Sequence, residues 1–431
     1  MKPIRLGIVG AGWGANHARV AAELRPLVEV RALCSRRQER MAALAVELDL
    51  PDSALEARWE DLVRREDVDL VVITAPDYLH HPITMGAIAC GKHVFCEKPL
   101  AMSAAQAAEM LHAAAAAGVA HFTGFTWRFA PPFATLRRVL QQGTLGPIRF
   151  IDGHFRIGPP LPGKDWQFDP EQRAGGVLGN LGVHLIDLVR YLDAVQRDGQ
   201  PELAGQVWRV WASCRRVGDP GAVPAGQGGS AVSPSMPGAP PGAAAAPRGE
   251  GEARTQADAR GDWSVQRSPS ARNDVCWLQL ELEDGPDGPA PAGARAPRLQ
   301  ARLQVSQLTT LRAAEPVRVE VHGRDATAIA YANPLFPERQ RLVLVRRTSD
   351  EPEPVEPLDF PGGPPAPPTA ALPSGGLLRP TIRHLYEAHI VPRLTGGAPA
   401  YGTPTFADGW QAQRLMDAAL RSSDEGRWIQ A

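Results

Sequence analysis

The first 125 residues alternate short apolar runs with segments that have helical spacing. Apolar runs of about four to eight residues are typical of strands buried on both faces, and their alternation with helices indicates a parallel sheet. We therefore predict an α/β fold with a doubly wound parallel sheet over residues 1–125. The predicted strands are residues 4–9, 28–34, 69–74, 94–96 and 120–125, and the predicted helices are residues 16–24, 36–48, 59–65, 83–90 and 103–117.

The pattern changes after this point, where strand-like runs follow one another at hairpin-like spacing. Such spacing favours a mostly antiparallel sheet. Helical spacing returns in several segments, so residues 126–431 are predicted to form an α+β domain. The predicted strands are residues 148–156, 206–217, 274–283, 298–308, 316–322, 326–331 and 342–347, and the predicted helices are residues 131–142, 177–192, 377–394 and 406–420.

Three tracts interrupt the second domain. Residues 218–272 consist mainly of Gly, Ala, Pro, Ser and Arg, residues 284–297 are rich in Gly and Pro, and residues 350–374 are rich in Pro and acidic side chains. Segments without a periodic apolar pattern bury too little surface to offset the entropy lost on ordering. We therefore predict that all three tracts are disordered.

Composition excludes several classes of function. The formal net charge is −1 and the basic residues are scattered, which argues against a nucleic-acid partner. No apolar run approaches the ~18 residues of a membrane span, and the N-terminus has no signal-peptide layout. An odd number of cysteines without Cys-x-x-Cys spacing argues against a disulfide framework and a zinc site, and fits a reducing cytoplasm. The cysteines are Cys34, Cys90, Cys96, Cys214 and Cys276.

A glycine-rich turn joins the first strand to the first helix. Gly10 suits the tight turn, Gly12 allows the backbone to approach a pyrophosphate, and Ala15 takes the third small-residue position of a dinucleotide fingerprint. The pyrophosphate would lie at the helix N-terminus, where the free backbone N–H groups point toward it. This strand–turn–helix context predicts a dinucleotide site.

The second strand ends at Ser35, Arg36 and Arg37 rather than at an acidic residue. An acidic residue there would bind the ribose 2′-hydroxyl of NAD, whereas an arginine accommodates the 2′-phosphate of NADP. The alternative is that the two arginines merely begin the next helix. We predict NADP as cofactor, with NAD as the other possibility.

Residues 93–99 contain an apolar run that stops at Glu97, Lys98 and Pro99. These residues follow a predicted parallel strand, and ligands bind at the carboxyl edge of such sheets. Pro99 stiffens the turn, so Lys98 is a candidate to hydrogen-bond a substrate oxygen. On these residues alone, a solvated Glu–Lys pair is the simpler interpretation.

These motifs at this spacing resemble the glucose–fructose oxidoreductase, inositol dehydrogenase and rhizopine-catabolism (Gfo/Idh/MocA) family. The resemblance covers most of the chain outside two of the low-complexity tracts. The motifs that carry it are Gly10-x-Gly12, Ala75–Pro76 with His80, Glu97–Lys98–Pro99, Trp127–Arg128–Phe129–Ala130–Pro131, the segment 175–187 around His184, and the segments 406–409 and 422–428.

The resemblance implies a Rossmann domain followed by a domain whose open sheet often mediates oligomers, with substrate between them. It also implies that Lys98 binds the substrate oxygen and that His184 is the general acid or base. Independently of the resemblance, oxidation of an alcohol needs a base with a pKa near 7 to take the hydroxyl proton, which suits histidine. An ammonium group stabilises the negative charge that develops on the alkoxide oxygen. The expected cofactor-binding residues are Gly10, Gly12, Trp13, Ala15, Ser35, Arg36, Arg37, Ala75, Pro76, His80, Glu97 and Lys98.

One departure concerns Asn180, where related dehydrogenases usually carry Asp. Asparagine hydrogen-bonds a hydroxyl but neither accepts a proton nor raises the basicity of His184 by charge. Asp187 is a candidate to supply part of that charge, or else it orients the helix. Arg128 is a candidate to bind an anionic substrate group or the cofactor, or else it forms a salt bridge. Trp166 closes over a ligand or packs its loop. The predicted substrate-binding residues are Lys98, Arg128, Trp166, Asn180, His184 and Asp187, of which Lys98, Asn180 and His184 are also predicted to be catalytic.

We therefore expect a cytoplasmic NAD(P)-dependent oxidoreductase that acts on the alcohol or carbonyl of a sugar, inositol or related polyol. We expect a dimer or tetramer formed through the C-terminal sheet, and no nucleic-acid or membrane partner. Two alternatives remain open: a non-catalytic protein that binds a dinucleotide as a sensor, and an NAD-dependent glycosidase that oxidises its sugar transiently. The residue at position 180 does not decide between them.

Overall fold

The computed structural model describes residues 2–158, 169, 171–195, 207–215, 274–282, 299–307, 316–333, 339–349, 351–356 and 378–431. Trp166 lies outside these residues. So do the tracts 218–272 and 284–297, and the tract 350–374 apart from residues 351–356. In that last tract the prediction of disorder is wrong for Glu353–Val355, which form a strand paired with the neighbouring strand of the second sheet.

Six parallel strands form the first sheet, in the order β3-β2-β1-β4-β5-β6. This order places the switch point between β1 and β4, as in dinucleotide-binding folds, and confirms the predicted doubly wound sheet. The two-residue strand β3 was too short to be predicted. The strands are β1 (Ile4–Val9), β2 (Val28–Cys34), β3 (Leu55–Glu56), β4 (Leu70–Ile73), β5 (His93–Cys96) and β6 (His121–Thr123). The helices between them are α1 (Gly14–Glu23), α2 (Gln38–Glu47), α3 (Trp59–Arg64), α4 (His80–Ala89) and α5 (Ala104–Ala117), with 3₁₀ turns at Asp52–Ala54 and Asp77–Leu79.

Both faces of this sheet are covered, which explains its continuous apolar runs. On one face Leu6 and Ile8 pack in a core with α1 and with Tyr386 from the C-terminal part of the chain. On the other face Val71 and Val94 pack in a core with α3, α4 and α5. The carboxyl edge of the sheet therefore stands on a rigid scaffold.

The second sheet has nine strands, in the order β14-β13-β12-β11-β7-β10-β9-β8-β15. Its pairs are antiparallel except for β7 with β10, which agrees with the predicted mostly antiparallel sheet. The strands are β7 (Ile148–Arg156), β8 (Val207–Arg215), β9 (Val275–Leu282), β10 (Leu299–Ser306), β11 (Val317–Gly323), β12 (Ala326–Ala332), β13 (Arg341–Arg346), β14 (Glu353–Val355) and β15 (Ile429–Gln430).

One face of the second sheet packs in a single core with helices, while residues of the other face alternate as half-buried or exposed. The core receives side chains from α6 and α10 and from the segment around residue 184. The sheet is therefore open on its second face. The helices are α6 (Pro131–Gln141), α7 (Val183–Val195), α8 (Leu378–Leu385), α9 (Val391–Leu394) and α10 (Phe406–Glu425), with a 3₁₀ turn at Thr126–Phe129 and π turns at Leu178–Gly182 and Tyr386–Ile390.

A disulfide joins Cys214 and Cys276, which lie opposite each other on β8 and β9. The expectation that the cysteines form no disulfide framework is therefore wrong for this pair. The two residues are 62 positions apart in sequence, and only the pairing of the strands brings them together. The argument from cysteine spacing for a reducing cytoplasm loses its support at this point.

In the described part of the chain, no helix is both long and apolar enough to span a bilayer.

The glycine turn allows a test of local strain. Gly10 has φ +112, and a Cβ there would lie 2.5 Å from Thr74 Oγ1, whereas a Cβ on Gly12 would meet no atom within 4 Å. We expect Gly10→Ala to lower the free energy of unfolding by about 2 kcal/mol, because it combines backbone strain with a clash. Gly12→Ala, the matched control, should leave stability unchanged. Chemical denaturation of the two variants measures this difference, and equal stabilities would contradict it.

Candidate active site

The ends of β1, β2, β4 and β5 bring the predicted cofactor-binding residues to one edge of the first sheet. The N–H of Gly10 donates to the Cys34 carbonyl at 2.8 Å, so the glycine turn is tied to the end of β2. Helix α1 begins at Gly14, and the space beside Gly12 is free of protein atoms. An open glycine turn before a helix N-terminus suits a pyrophosphate, so these residues fit a dinucleotide.

The arginines after β2 are exposed, and the structure gives each a different neighbour. Arg36 Nη1 lies 3.3 Å from the Tyr78 hydroxyl, which belongs to the loop after β4. The N–H of Arg37 donates to Ser35 Oγ at 3.2 Å, and Arg37 is the residue before the first turn of α2. Arg37 therefore lies at the helix start, and its predicted contact with the cofactor stays a prediction. Selection of NADP by Arg36 stays a prediction.

Glu97 is buried and connects the glycine turn to the turn after β5. Its carboxylate accepts a hydrogen bond from Trp13 Nε1 at 2.9 Å and one from the N–H of Lys98 at 3.2 Å. Burial alone would raise the pKa of Glu97, but His17 and Lys98 hold it below its usual range. The interpretation of residues 97 and 98 as a solvated pair is therefore wrong, because Glu97 is buried and Lys98 is half-buried.

His80 connects two of the loops at the edge. Its Nδ1 lies 2.8 Å from the Pro99 carbonyl and its Nε2 lies 2.9 Å from the Ala75 carbonyl, so both ring nitrogens donate. Burial by itself lowers the pKa of His80, but the neighbouring Cys96 and the Pro99 carbonyl raise it to about 10. The charged imidazole therefore holds the loop after β4 against the turn that carries Lys98.

Lys98 is the ammonium group at the centre of the site. Its Nζ donates to the backbone carbonyl of Asn180 at 3.1 Å. Burial lowers the pKa of Lys98 to about 8, and the nearby Arg173 guanidinium acts in the same direction. Near neutral pH a large share of this lysine is protonated, while a small rise in pH removes its charge. Such a group is suited to proton transfer.

Asn180 lies in the π turn Leu178–Gly182, where the sequence predicted a regular helix. The wider turn lets its backbone carbonyl meet Lys98 while its side-chain oxygen accepts from Arg173 Nη2 at 2.5 Å. π turns are frequent at functional sites. Asn180 therefore lies where it was predicted to act, and it connects Lys98 to a second cation.

His184 is the second residue of α7, the regular helix that follows the π turn. Burial and the positive charges of Lys98 and Arg173 lower the pKa of His184 well below its usual value, so the ring is neutral at pH 7. The rings of Phe125, Trp127 and Phe155 surround it, with centroids 6.1 to 6.4 Å away. Its buried Nδ1 has no hydrogen-bond partner among the described residues.

Arg128 and Asp187 lie together in a separate ion pair. Arg128 Nε donates to Asp187 Oδ2 at 2.7 Å, and Nη2 donates to Asp187 and, at 2.7 Å, to Asp408. The salt-bridge alternative for Arg128 is therefore present in the structure. Asp187 lies one helical turn after His184, and its carboxylate forms a salt bridge with Arg128 rather than with His184.

Two residues of the site were not singled out from the sequence. Arg173 contacts Asn180, and buried Asp77 accepts from the N–H of Ala174 at 3.1 Å. Asp77 lies in the loop after β4, and Arg173 lies two residues before the glycine pair Gly175–Gly176 that precedes the π turn. Their positions next to recognised motifs are the signal that could have found them.

The N-terminal part matches a family model described as an oxidoreductase family with an NAD-binding Rossmann fold, over residues 4–125. Residues 133–222 match the model of the Gfo/Idh/MocA C-terminal domain. The matched regions of the chain belong to the Gfo/Idh/MocA family. The resemblance found in the motifs is thereby confirmed.

Curated relatives match less than half of the chain. A levoglucosan dehydrogenase from Pseudarthrobacter phenanthrenivorans is 27% identical over 203 residues, or 44% of this chain and 52% of its own length. A 1,5-anhydro-D-fructose reductase from Ensifer adhaerens is 36% identical over 190 residues, or 44% of this chain and 56% of its own length. The chain thus spans about half the length of the curated relatives it matches.

Solved structures confirm the fold of the described residues. A levoglucosan dehydrogenase in complex with NADH and levoglucosan superposes with a TM-score of 0.70 at 19% identity, covering 99% of both chains. An aldose–aldose oxidoreductase from Caulobacter crescentus, in complex with glycerol, has a TM-score of 0.66 at 20% identity, covering all of both chains. These likenesses establish the two-sheet Gfo/Idh/MocA architecture.

The Arg128–Asp187 pair allows a test of its structural role. We expect Asp187→Asn to lower the free energy of unfolding by about 3 kcal/mol, because it leaves a buried guanidinium with incomplete compensation. Asp61→Asn is the matched control, since it breaks an exposed pair with Arg64 and should change stability by less than about 0.5 kcal/mol. Urea unfolding compares the two. Unchanged stability of Asp187→Asn together with lost substrate affinity would instead favour a role in binding.

Proposed function

We propose that this protein is an NAD(P)-dependent oxidoreductase that acts on a CH–OH group or the matching carbonyl of a sugar, inositol or related polyol. The observation that carries the proposal is the half-buried Lys98, with its pKa lowered to about 8, beside His184 at the carboxyl edge of a dinucleotide-type sheet. The substrate class is supported by the names of the relatives, which are sugar dehydrogenases and reductases.

The chain's own residues divide the work. When bound, a nicotinamide cofactor supplies the hydride acceptor or donor. The open turn at Gly12 and the start of α1 hold the pyrophosphate, and Glu97 and His80 keep Lys98 in place. The Lys98 ammonium binds the substrate oxygen and stabilises negative charge that develops on it.

His184 and Lys98 have complementary protonation states. Neutral His184 is in the form that accepts a hydroxyl proton during oxidation, and protonated Lys98 is in the form that donates to a carbonyl oxygen during reduction. The aromatic rings around His184 exclude water from this proton transfer. Asn180 positions Lys98 through its backbone carbonyl, a role that needs no carboxylate at position 180.

The open second sheet supports a dimer or tetramer as the working assembly, since half of each strand faces away from the helices. Cytoplasmic location stays part of this proposal. A second copy packed on the open face would bury the half-exposed residues of β10 and β12.

The role of Lys98 is tested by kinetics. We expect Lys98→Met to lower kcat of carbonyl reduction by about 10²- to 10³-fold, because the charge that stabilises the substrate oxygen is lost. In the unchanged enzyme, the rate should fall as pH rises through about 8, since the active form of Lys98 is the protonated one. Lys98→Arg, which keeps the charge at high pH, should remove this decline from whatever activity it retains.

The matched control is Lys92→Met. Lys92 Nζ donates to two backbone carbonyls near the start of β5, away from the site, so this change should affect stability and leave the pH profile unchanged. Full turnover by Lys98→Met would overturn the catalytic proposal. Tight dinucleotide binding without turnover on a polyol panel would favour the sensor alternative, and aglycone release without net NADH would favour the glycosidase.

Cofactor preference is tested by fluorescence titration with NADPH and, separately, NADH. We expect tighter NADPH binding, and we expect Arg36→Ala with Arg37→Ala to weaken NADPH binding about tenfold while leaving NADH binding unchanged. Arg40→Ala, an exposed arginine on α2, is the control. Gly12→Ala should weaken both cofactors, because its methyl group occupies the space of the pyrophosphate. Tighter NADH binding would overturn the NADP preference alone.

A further inference from the structure

A second cavity lies on the side of α7 that faces the loop before α10. Its volume is about 210 Å³. Its lining residues are all described, and they include none of Lys98, Asn180 and His184. The polar side chains that line it are Arg128, Arg190, Tyr191, Tyr401, Thr403 and Asp408.

Arg190 is the residue that this cavity leaves without a partner. Its side chain is 7% exposed, yet its buried Nη1 has no hydrogen-bond partner among the described residues. A guanidinium carries five donors, and a buried donor left unpaired is costly. Arg128, by contrast, donates hydrogen bonds to Asp187, Asp408 and the Gly402 carbonyl. Arg190 is therefore a cation without a carboxylate partner of its own in the described part of the chain, because Asp187 and Asp408 form their hydrogen bonds with Arg128.

The charge around the cavity is positive. Asp187 and Asp408 attract Arg190, while Arg128 and Arg414 repel it. Arg137 adds a further positive charge, since its Nη1 lies 3.3 Å from the Tyr191 hydroxyl. Of the charged side chains that line the cavity itself, two are guanidinium groups, Arg128 and Arg190, and one is a carboxylate, Asp408. An anion that enters the cavity would pair with Arg190 and relieve this imbalance.

We propose that this cavity is a second binding site, which takes a small metabolite through a carboxylate or phosphate group bound by Arg190. A guanidinium fork matches the oxygen pair of either group and binds it with two parallel hydrogen bonds. The rings of Tyr191 and Tyr401 and the small Ala194 leave room for the rest of a compact organic anion. The volume suits a molecule of lactate to gluconate size rather than a dinucleotide.

The site is coupled by packing to the candidate active site. The Arg128 guanidinium lies 5.8 Å from the centre of the Phe125 ring, whose other neighbour is the His184 ring at 6.4 Å. Arg190 and His184 also belong to the same helix. The cavity and His184 are therefore linked through one helix and one shared aromatic neighbour.

The test is calorimetric titration of the full-length protein with lactate, gluconate and inorganic phosphate, at constant ionic strength set with potassium chloride. We expect saturable binding of at least one of them, and the three arms separate carboxylate from phosphate recognition. Arg190→Gln should weaken that binding at least tenfold. Arg414→Gln removes a nearby charge that does not line the cavity, so it is the matched control and should change the affinity less than threefold.

Two further variants separate this site from the candidate active site and from misfolding. Lys98→Met should bind the anion as tightly as the unchanged protein, whereas binding at the Lys98 site would be lost. Arg190→Lys keeps a positive charge without the fork and should bind with intermediate affinity, which checks that a folded variant responds. Absence of saturable binding by the unchanged protein, equal binding by Arg190→Gln, or loss of binding in Lys98→Met would each overturn the proposal.

Discussion

The turn after β5 is held by two buried charged groups, and the arrangement of the site depends on them. Glu97 joins this turn to Trp13 of the glycine turn, and His80 joins it to the loop after β4. Because both side chains are buried, each needs its hydrogen-bond partners to offset the loss of water. Removal of Glu97 or His80 would release the loop that this side chain holds against the turn after β5. The cofactor edge and Lys98 are therefore positioned by the same network.

Lys98 shows how this scaffold produces chemistry. A lysine on a flexible exposed loop would keep its charge far above neutral pH, but burial beside Arg173 lowers its pKa to about 8. The same burial and the same cations keep His184 neutral. Two groups with opposite protonation states thus share one site, which is the condition for moving a proton to and from a substrate oxygen. A carboxylate at position 180 is not required for either state.

The helix that carries His184 connects two different polar environments. Near its start, His184 faces aromatic rings and Lys98, and one turn later Asp187 faces Arg128 and Asp408. Farther along, Arg190 lines the second cavity. Because buried ion pairs are strongly destabilised when one partner is lost, Arg128 and its two carboxylates fix the position of this helix against α10. His184 and the second cavity thereby lie on one rigid element.

Local pattern in the sequence determined the doubly wound sheet, the glycine turn, the mostly antiparallel second sheet and the placement of Lys98 and His184 on functional motifs. These features follow from strand and helix periods and from turn residues, which act over a few neighbouring positions. Only the tertiary structure decided that Asp187 pairs with Arg128, that Asn180 lies in a π turn against Arg173, and that Cys214 joins Cys276. The ion pair and the disulfide join residues that are distant in sequence, and the π turn differs from an α-helix by one extra residue per turn. None of these features leaves a periodic signal in the sequence.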